Sequence, residues 1–139
     1  KGILKGRFVE ADSVLVTCIA GSPTTIGNVV LTNRKVAFNQ QINSLTPNSQ
    51  YNSFFIYSLF RYCKKLIQDN TTQGMKRIIT KSTFEKIKFI SPPISIQNDY
   101  EKKIKSLLKE KEIFNEQVIL SGLLFFSLIQ KAFKGELTS

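Results

Sequence analysis

The hydrophobic pattern divides this chain of 139 residues into two parts with different periods. Up to residue 90, apolar residues occur in short runs or alternate with polar ones, as in residues 13–20 (SVLVTCIA), 26–32 (IGNVVLT) and 36–45 (VAFNQQINSL). Runs of this length and alternation are typical of β-strands, and the GSPTT segment between the first two is typical of a loop. We therefore predict a strand in each of the three segments.

Residues 51–67 (YNSFFIYSLFRYCKKLI) are too long for a strand and are apolar around most of a helical circumference. The exception is a stripe at helical spacing formed by Arg61, Lys64, Lys65 and Gln68. This pattern predicts a helix that is buried on most sides and has one basic stripe. The stripe is either a solvated face or a face that contacts phosphate.

Residues 69–93 (DNTTQGMKRIITKSTFEKIKFISPP) predict a glycine-containing loop, a strand at residues 78–79, one helical turn and a last strand at residues 87–90. Ser82 and Glu85 match a capping box for the helical turn. Strands with interspersed helices make the first part of the chain an α+β domain of mixed α/β type.

After two adjacent prolines the period becomes that of a long helix. Apolar residues recur alternately four and three positions apart, with charges gathered between them over the first half. The residues of this seam are Tyr100, Ile104, Leu107, Phe114, Val118, Phe125 and Leu128. The pattern is typical of a coiled-coil helix, so we expect a helix over residues 98–134, about 55 Å long, that ends at Gly135. Its seam should pair with a second helix or with itself.

The prolines, Pro92 and Pro93, predict a stiff joint between residues 1–91 and 92–139. Proline fixes its own φ and biases the preceding residue toward extended backbone, so a helix cannot run through this point. A stiff joint would set the direction of the helix. The alternative is a proline pair that merely starts a helix.

Positive charge is concentrated before the prolines. The net charge is +10; residues 1–90 hold 13 Lys and Arg against 4 Asp and Glu, whereas residues 91–139 hold 7 against 6. A one-sided positive field favours a polyanion, with nucleic acid first and an anionic membrane surface second.

Few residues suit catalysis. The chain has no histidine, which removes the commonest general base and most catalytic metal sites. Asp99, Glu101 and Lys103 fit a nuclease-like spacing, but a solvated helix face explains them better. SPPI at residues 91–94 resembles the base-holding motif of DNA amino-methyltransferases, yet serine and isoleucine replace its polar and aromatic residues. We predict no catalytic residue, no metal site and no cofactor.

The two cysteines, Cys18 and Cys63, lie far apart and form no CxxC motif, so we interpret them as buried thiols of a protein in the reducing cytosol. The most apolar stretches, residues 54–60 and 122–129, are short or broken by serine, and no signal-peptide pattern is present. We expect no membrane span. Because the sequence begins with Lys1 rather than methionine, we expect it to be a piece of a longer polypeptide.

Four segments occur in one order along the chain: ADSVLVTCIAGSPTTIGNVV, AFNQQINSLTP, TTQGMKRIITKSTFEKIKFISPPISIQ, and LIQKAFKGEL at the end of the long amphipathic helix. In this order and spacing they resemble the DNA-specificity (S) subunit of Type I restriction-modification systems. Two positions depart from the family's pattern. Ala11-Asp12 stands where the family often has Gly-Asp, and Ile96 precedes Gln97 where an acidic residue is frequent.

The resemblance implies a target-recognition domain at residues 1–91, incomplete at its N-terminus, and a spacer helix at residues 92–139. In this family each of two recognition domains reads one half of a split double-stranded DNA target. Long helices pair antiparallel as a spacer and dock the methyltransferase (M) subunits, and the restriction (R) subunits complete the complex. The implied role is non-catalytic.

Physical chemistry divides the candidate DNA-contacting residues into two kinds. Lys and Arg neutralise phosphates, whereas Thr, Gln and some Arg hydrogen-bond to base edges. The candidates are Arg34 and Lys35 at an expected hairpin corner, the helical stripe of Arg61, Lys64 and Lys65, and the loop residues Thr71, Thr72, Gln73, Lys76, Arg77 and Lys81. A solvated polar loop is the alternative for the last group. We expect one side chain of the pair Gln40 and Gln41 to be hydrogen-bonded inside the sheet.

Two other functions stay open. The chain could be a coiled-coil assembly protein with a basic globular head, in which case duplex DNA would not affect its self-association. It could also be a fragment of a DNA adenine methyltransferase, in which case it would bind S-adenosylmethionine.

Overall fold

The structure is a computed structural model that describes residues 7–22, 24–72, 74 and 76–136. Two compact units are present, Lys1–Glu101 and Lys102–Ser139. The first unit holds the strands, the short helices and the first two turns of one long helix, and the second unit holds the rest of that helix. This agrees with the predicted α+β region followed by a long C-terminal helix. The division of the chain into functional domains at residue 91 stays a prediction.

The strands are β1 (Arg7–Val9), β2 (Val14–Thr17), β3 (Ile19–Ala20), β4 (Val29–Leu31), β5 (Val36–Phe38), β6 (Ile42–Leu45) and β7 (Arg77–Ile78). The helices are α1 (Ser53–Tyr62), α2 (Lys64–Asp69), α3 (Lys81–Glu85) and α4 (Ile94–Phe133).

Strands β1 and β2 run antiparallel to β5 and β4 as one long ribbon. Arg7 lies opposite Phe38 and Val14 lies opposite Leu31, so the two pairs share one register. The ribbon is interrupted between them, where Asp12 adopts a φ of 61°. Aspartate is among the few non-glycine residues that adopt this conformation, and the left-handed residue is Asp12 rather than Ala11, the position that departs from Gly-Asp.

Strand β2 is central because it pairs with β4 on one side and with β6 on the other. It is separated from β3 by Cys18, whose N–H donates to the carbonyl of Gln41 at 2.8 Å and whose carbonyl accepts from the N–H of Ile79 at 2.9 Å. Beyond this break β3 pairs with β7 in a separate two-stranded sheet. The strand expected at residues 13–20 therefore forms as two pieces with different partners.

The segment expected to be one strand at residues 36–45 contains two, β5 and β6, joined by a turn. The side-chain oxygen of Asn39 accepts from the N–H of Gln41 at 2.9 Å and closes this turn. The prediction for Gln40 and Gln41 is wrong, because both side chains are exposed. The sheet uses the backbone carbonyl of Gln41 instead.

The core lies between the sheets and helices α1 to α3. Its buried apolar residues are Val14, Val16, Cys18, Ile26, Phe60, Ile67, Ile79 and Phe84. The Phe60 ring of α1 lies 5.6 Å from the Phe84 ring and 4.5 Å from the Phe89 ring, measured between centroids. Residues 87–90 contribute Ile87 and Phe89 to this core, but the strand predicted there does not form.

Two helix predictions in the first unit were wrong in detail. The helix expected over residues 51–67 ends at Tyr62 and restarts at Lys64, because Cys63 has a non-helical ψ of 19°. The helical turn after β7 is capped by Thr80, whose hydroxyl accepts from the N–H of Thr83 at 3.1 Å, and not by Ser82. Glu85 ends that helix, so it cannot complete a capping box.

Helix α4 begins four residues before the predicted start. The carbonyl of Pro93 accepts from the N–H of Gln97 at 3.2 Å, which makes Pro93 the residue that precedes the first turn. At the other end Gly135 has a φ of 73°, and the N–H of Glu136 donates to the carbonyl of Lys131 at 2.9 Å. This is a Schellman termination, so the stop predicted at Gly135 is confirmed.

Candidate nucleic-acid interface

The loop of residues 72–78 is closed at its base by hydrogen bonds of Thr72. Its N–H donates to the carbonyl of Ile78 at 2.9 Å, and its hydroxyl accepts from the N–H of Ile78 at 3.2 Å. Thr71 is 8 % exposed and its hydroxyl donates to the carbonyl of Gln68 at 2.7 Å. Both threonine hydroxyls therefore shape the loop itself. Gln73, the third candidate for base readout, lies outside the described residues.

Three candidate cations lie on this loop and just after it. Lys76 is exposed and directly precedes β7. Arg77 is half-buried in β7 opposite Ala20, and its guanidinium lies 3.5 Å from the Thr71 hydroxyl. Lys81 begins α3 and forms an exposed ion pair of 3.7 Å with Glu85. The structure therefore brings Lys76, Arg77 and Lys81 to one segment of the surface.

The basic stripe of α1 and α2 is partly used by the fold. The ammonium of Lys64 donates to the carbonyl of Thr24 and to the side-chain oxygen of Asn28, both at 2.6 Å. Lys65 forms an exposed ion pair of 3.2 Å with Asp69 one turn later. Lys64 thus holds the loop that precedes β4, and its proposed phosphate contact stays a prediction.

Arg61 precedes the break between α1 and α2. Its guanidinium donates to the hydroxyl of Tyr57 at 2.8 Å, and both groups are at the surface. One turn after Lys64, the amide of Gln68 donates to the carbonyl of Ile26 at 3.2 Å. Two of the four residues in the stripe, Lys64 and Gln68, therefore bind the loop of residues 24–28.

Gly27 allows this loop to approach α2 closely. Its φ is 75°, and a Cβ at this position would lie 3.1 Å from Cγ of Lys64 and 3.4 Å from Cβ of Ile67. A side chain would therefore meet both strain and contact. Gly27 is the reason that the loop and the basic helix lie side by side.

Arg34 and Lys35 do not lie at a hairpin corner. Strands β4 and β5, on either side of them, continue along the same edge of the ribbon. Lys35 forms an exposed ion pair of 2.7 Å with Glu10 across the ribbon. Lys35 is seven residues beyond Asn28, which in extended chain is a separation of about 20 Å. The structure therefore does not bring this pair to the Lys64 end of the ribbon.

A buried polar network lies at the start of α4 and was not among the sequence predictions. Gln97 has no exposed surface, and its side-chain oxygen accepts from the N–H of Asn52 at 2.9 Å. Its amide nitrogen donates to the carbonyl of Pro92 at 2.7 Å. The sequence does contain one sign that Gln97 is buried. It stands three residues before Tyr100, the first seam residue, and residues at this spacing lie on the same side of a helix.

Tyr100 differs from the other residues of the predicted seam. It is half-buried, and its ring makes an edge contact with the ring of Phe55 at 5.6 Å and lies 6.5 Å from that of Phe54. Tyr100 therefore packs within the first unit, and Ile104 is half-buried. The remaining seam residues are exposed: Leu107, Phe114, Val118, Phe125 and Leu128.

The apolar surface of α4 extends beyond the predicted seam. Further large apolar residues from the middle of α4 onward are exposed on other sides of the helix: Ile113, Ile119, Leu120, Leu123, Leu124 and Phe126. An 18-residue window of α4 has a mean hydropathy of 1.4 and is unburied, so its length and composition would allow a membrane span. The expectation of no membrane span was based on uninterrupted apolar runs, and this window contains polar residues between its apolar ones. One such helix is a weak indication of a membrane.

Ionisable groups in the described residues offer little for chemistry. No group of three or more His, Cys, Asp or Glu residues in this part of the chain is placed to hold a metal ion. Burial raises the pKa of the Cys18 thiol to about 11, although hydrogen bonds from Asn43 oppose the shift. A thiol with this pKa is a poor nucleophile at neutral pH.

Comparisons with known proteins agree on one family. The family model for the Type I restriction modification DNA specificity domain matches residues 5–121. The Type I restriction enzyme HindI specificity subunit of Haemophilus influenzae (strain ATCC 51907 / DSM 11121 / KW20 / Rd) is 33% identical over 115 residues, which cover 78% of this chain. The chain spans only 23% of that relative's length.

A solved structure shows a similar fold. The crystal structure of the Type-I restriction-modification system S subunit from M. genitalium matches with a TM-score of 0.51 and 18% sequence identity. The match covers 78% of this chain and 30% of that one. At this identity the likeness concerns the fold.

Proposed function

The chain belongs to the Type I restriction modification DNA specificity domain family, and from that premise we propose that its first unit recognises double-stranded DNA by sequence within a specificity subunit. The observation that carries the proposal is the family match over residues 5–121, which includes the sheets, α1 to α3 and most of α4. The excess positive charge before residue 91 supports it, because a basic surface gives the sequence-independent part of DNA affinity.

The segment best suited to contact DNA is the loop of residues 72–78 with the first turn of α3. It presents Lys76 and Lys81 at the surface, and the hydrogen bonds between Thr72 and Ile78 close its base. Arg61 and Lys65 form a second candidate patch, and Arg34 with Lys35 a third, at a different part of the ribbon.

We propose that α4 is the spacer helix and that it is covered in the assembly. A helix with apolar residues on all sides is stable in water only when it is buried. The seam from Leu107 to Leu128 fits one partner helix, either the second spacer helix of a complete subunit or the same helix in a second copy. The apolar residues on the other sides fit further contacts, for which the methyltransferase subunits are our candidates.

In this proposal the chain itself does no chemistry and needs no cofactor. The methyltransferase and restriction subunits supply the catalytic groups, and the complex works in the cytoplasm.

Selection from a random duplex library tests the proposal. Repeated binding and amplification should enrich a defined sequence, and affinity for it should exceed that for random duplex by at least about a thousandfold. Single-stranded oligonucleotides of the same sequence serve as the control. Equal affinity for the enriched and random duplexes would remove the recognition function.

A coiled-coil assembly protein with a basic head is the second candidate, favoured by the exposed apolar residues of α4. Sedimentation of the chain with and without duplex DNA separates the two functions. If the helix self-associates and duplex has no effect, the assembly function stands alone. No structural observation favours a methyltransferase fragment, and calorimetry with S-adenosylmethionine should show no binding.

A further inference from the structure

Gln97 is the most completely buried polar side chain at the start of α4, and both its side-chain oxygen and its side-chain nitrogen bond to backbone groups of the fold. Its oxygen accepts from the N–H of Asn52 at 2.9 Å. Its nitrogen donates to the carbonyl of Pro92 at 2.7 Å and to that of Gln50 at 3.4 Å. One side chain thus joins three backbone segments: the start of α1, the residue before Pro93, and α4 itself.

Asn52 extends the network in the other direction. Its side-chain oxygen caps α1 by accepting from the N–H of Phe55 at 2.9 Å. Its side-chain nitrogen donates to Asn98 at 2.9 Å and to the carboxylate of Glu101 at 2.6 Å. Every group therefore serves the same junction between the N-terminus of α1 and the first two turns of α4.

The two prolines cannot produce this junction by themselves. Proline restricts φ but leaves ψ variable, so a proline pair limits the chain's path without selecting one direction. The bond from Gln97 to the Pro92 carbonyl holds the peptide plane between the prolines, and the bond to Asn52 holds the helix against α1. The half-buried ring of Tyr100 against Phe55 closes the apolar side.

We infer that Gln97 is the positioning residue for spaced DNA recognition: its buried amide locks the first two turns of α4 to α1, and this lock fixes the separation of the DNA half-sites that the assembly reads. The inference rests on the proposed function, since it concerns how a recognition domain is attached to its spacer. Gln97 does not touch DNA in this scheme. Loss of its amide should therefore leave each half-site readable and should relax only their spacing.

The decisive variant is Gln97→Glu, because its lock depends on pH. When protonated, the carboxyl keeps an acceptor for the N–H of Asn52 and one O–H for the Pro92 carbonyl. When ionised, it is a buried anion facing two backbone carbonyls, and the Glu101 carboxylate accepts a hydrogen bond from the side chain of the same Asn52. Burial raises the pKa of such a carboxyl, so the lock should hold at about pH 5 and open at about pH 8.

Site selection from a random library gives the functional measurement. The wild-type chain should enrich two sequence blocks at one spacing at both pH values. Gln97→Glu should enrich the same two blocks, at one spacing at the lower pH and at several spacings at the higher. Gln117→Ala removes an exposed amide from the same helix and should behave like the wild type.

Each result decides a different claim. If the wild type enriches no site, the proposed function fails and the inference falls with it. If the wild type enriches one spaced pair of blocks and Gln97→Glu keeps that single spacing at both pH values, only the inference is overturned. Enrichment of a single unspaced block by the wild type also overturns it, because no separation would then need fixing.

Hydrogen exchange tests the lock without DNA. The backbone N–H of Asn52 donates directly to the side chain of Gln97. Exchange of this backbone hydrogen should therefore be slow in the wild type and in Gln117→Ala. In Gln97→Glu it should accelerate by at least about tenfold between the lower and higher pH, beyond the intrinsic change, as should the amides of the first two turns of α4. Protection that is unchanged at the higher pH would refute the lock.

Discussion

The side-chain oxygen of Gln97 accepts the backbone N–H of Asn52 at 2.9 Å, and so joins the N-terminus of one helix to that of another across 45 residues of sequence. The N–H of a residue that precedes a helix has no partner within the helix, so it needs one from elsewhere. Gln97 supplies that partner from a fully buried position. The junction therefore satisfies a backbone group that α1 itself leaves unpaired.

We expect Gln97→Ala to lower the free energy of unfolding by about 2–4 kcal/mol. The substitution leaves the Asn52 N–H and the Pro92 carbonyl buried without a partner and opens a cavity. Urea denaturation followed by circular dichroism measures the change. The matched substitution Gln117→Ala on the exposed surface of α4 should stay within about 0.5 kcal/mol of the wild type; equal effects of the two would contradict the network's role.

Gly27→Ala should destabilise the first unit by about 2–3 kcal/mol. Alanine at this position must adopt a φ of 75°, which is strained for a residue with a side chain. Its Cβ would lie 3.1 Å from Cγ of Lys64 and 3.3 Å from the carbonyl oxygen of Lys64. Thermal unfolding provides the measurement. Gly21→Ala is the control, since nothing lies within 4 Å of a Cβ built there, and it should leave the melting temperature nearly unchanged.

The Cys18 thiol should make stability depend on pH in the alkaline range. Its pKa is raised to about 11 in the folded chain by burial, whereas an unfolded thiol titrates near about pH 8.5. Between these values the folded state binds more protons, so stability is full below about pH 8.5 and falls as pH rises toward 11, by about 3 kcal/mol in total. Cys18→Ala removes this contribution, and an unchanged pH profile in that variant would refute it.

Native-state alkylation should distinguish the two thiols. At neutral pH, iodoacetamide should modify the half-buried Cys63 and spare the buried Cys18. Mass spectrometry of the digested protein measures the two rates. Faster modification of Cys18 than of Cys63 would show that the core around β2 opens more readily than its burial implies.

Replacing Lys76 and Arg77 together by alanine should flatten the plot of log binding constant against log salt concentration by about 1.8, or about 0.9 for each lost phosphate contact. Fluorescence anisotropy with a labelled duplex measures the slope. A control pair in the first half of α4, Lys109→Ala with Lys111→Ala, should not change it. A slope that stays the same in the first pair would remove both residues from the DNA surface.

Charge placed in the seam of α4 should weaken self-association. Val118→Asp and Phe125→Asp each remove about 2 kcal/mol of apolar burial per chain, or about 4 kcal/mol per pair of chains, which corresponds to a dissociation constant larger by about a thousandfold. Sedimentation equilibrium measures it, with Asn115→Asp as the off-seam control. If neither variant weakens association while wild-type chain floats with lipid vesicles, the apolar surface of α4 serves a membrane instead.

The sequence by itself determined the elements whose cause is local. The change of period after the prolines predicts α4, and Gly135 predicts its end, because helix periodicity and left-handed termination depend on neighbouring residues. It also determined the strand character of residues 13–20 and the one-sided charge. The combined order of motifs predicted the family, which the comparisons show.

Tertiary structure alone decided which partners those elements take. Cys18 separates β2 from β3 because different strands meet the chain on either side of it, and Gln97 is buried because α1 begins opposite it. Lys64 is drawn to Asn28, and Tyr100 leaves the seam for Phe55. Each depends on contacts between residues far apart in sequence, whose geometry follows from packing the whole core, so no local pattern could specify them.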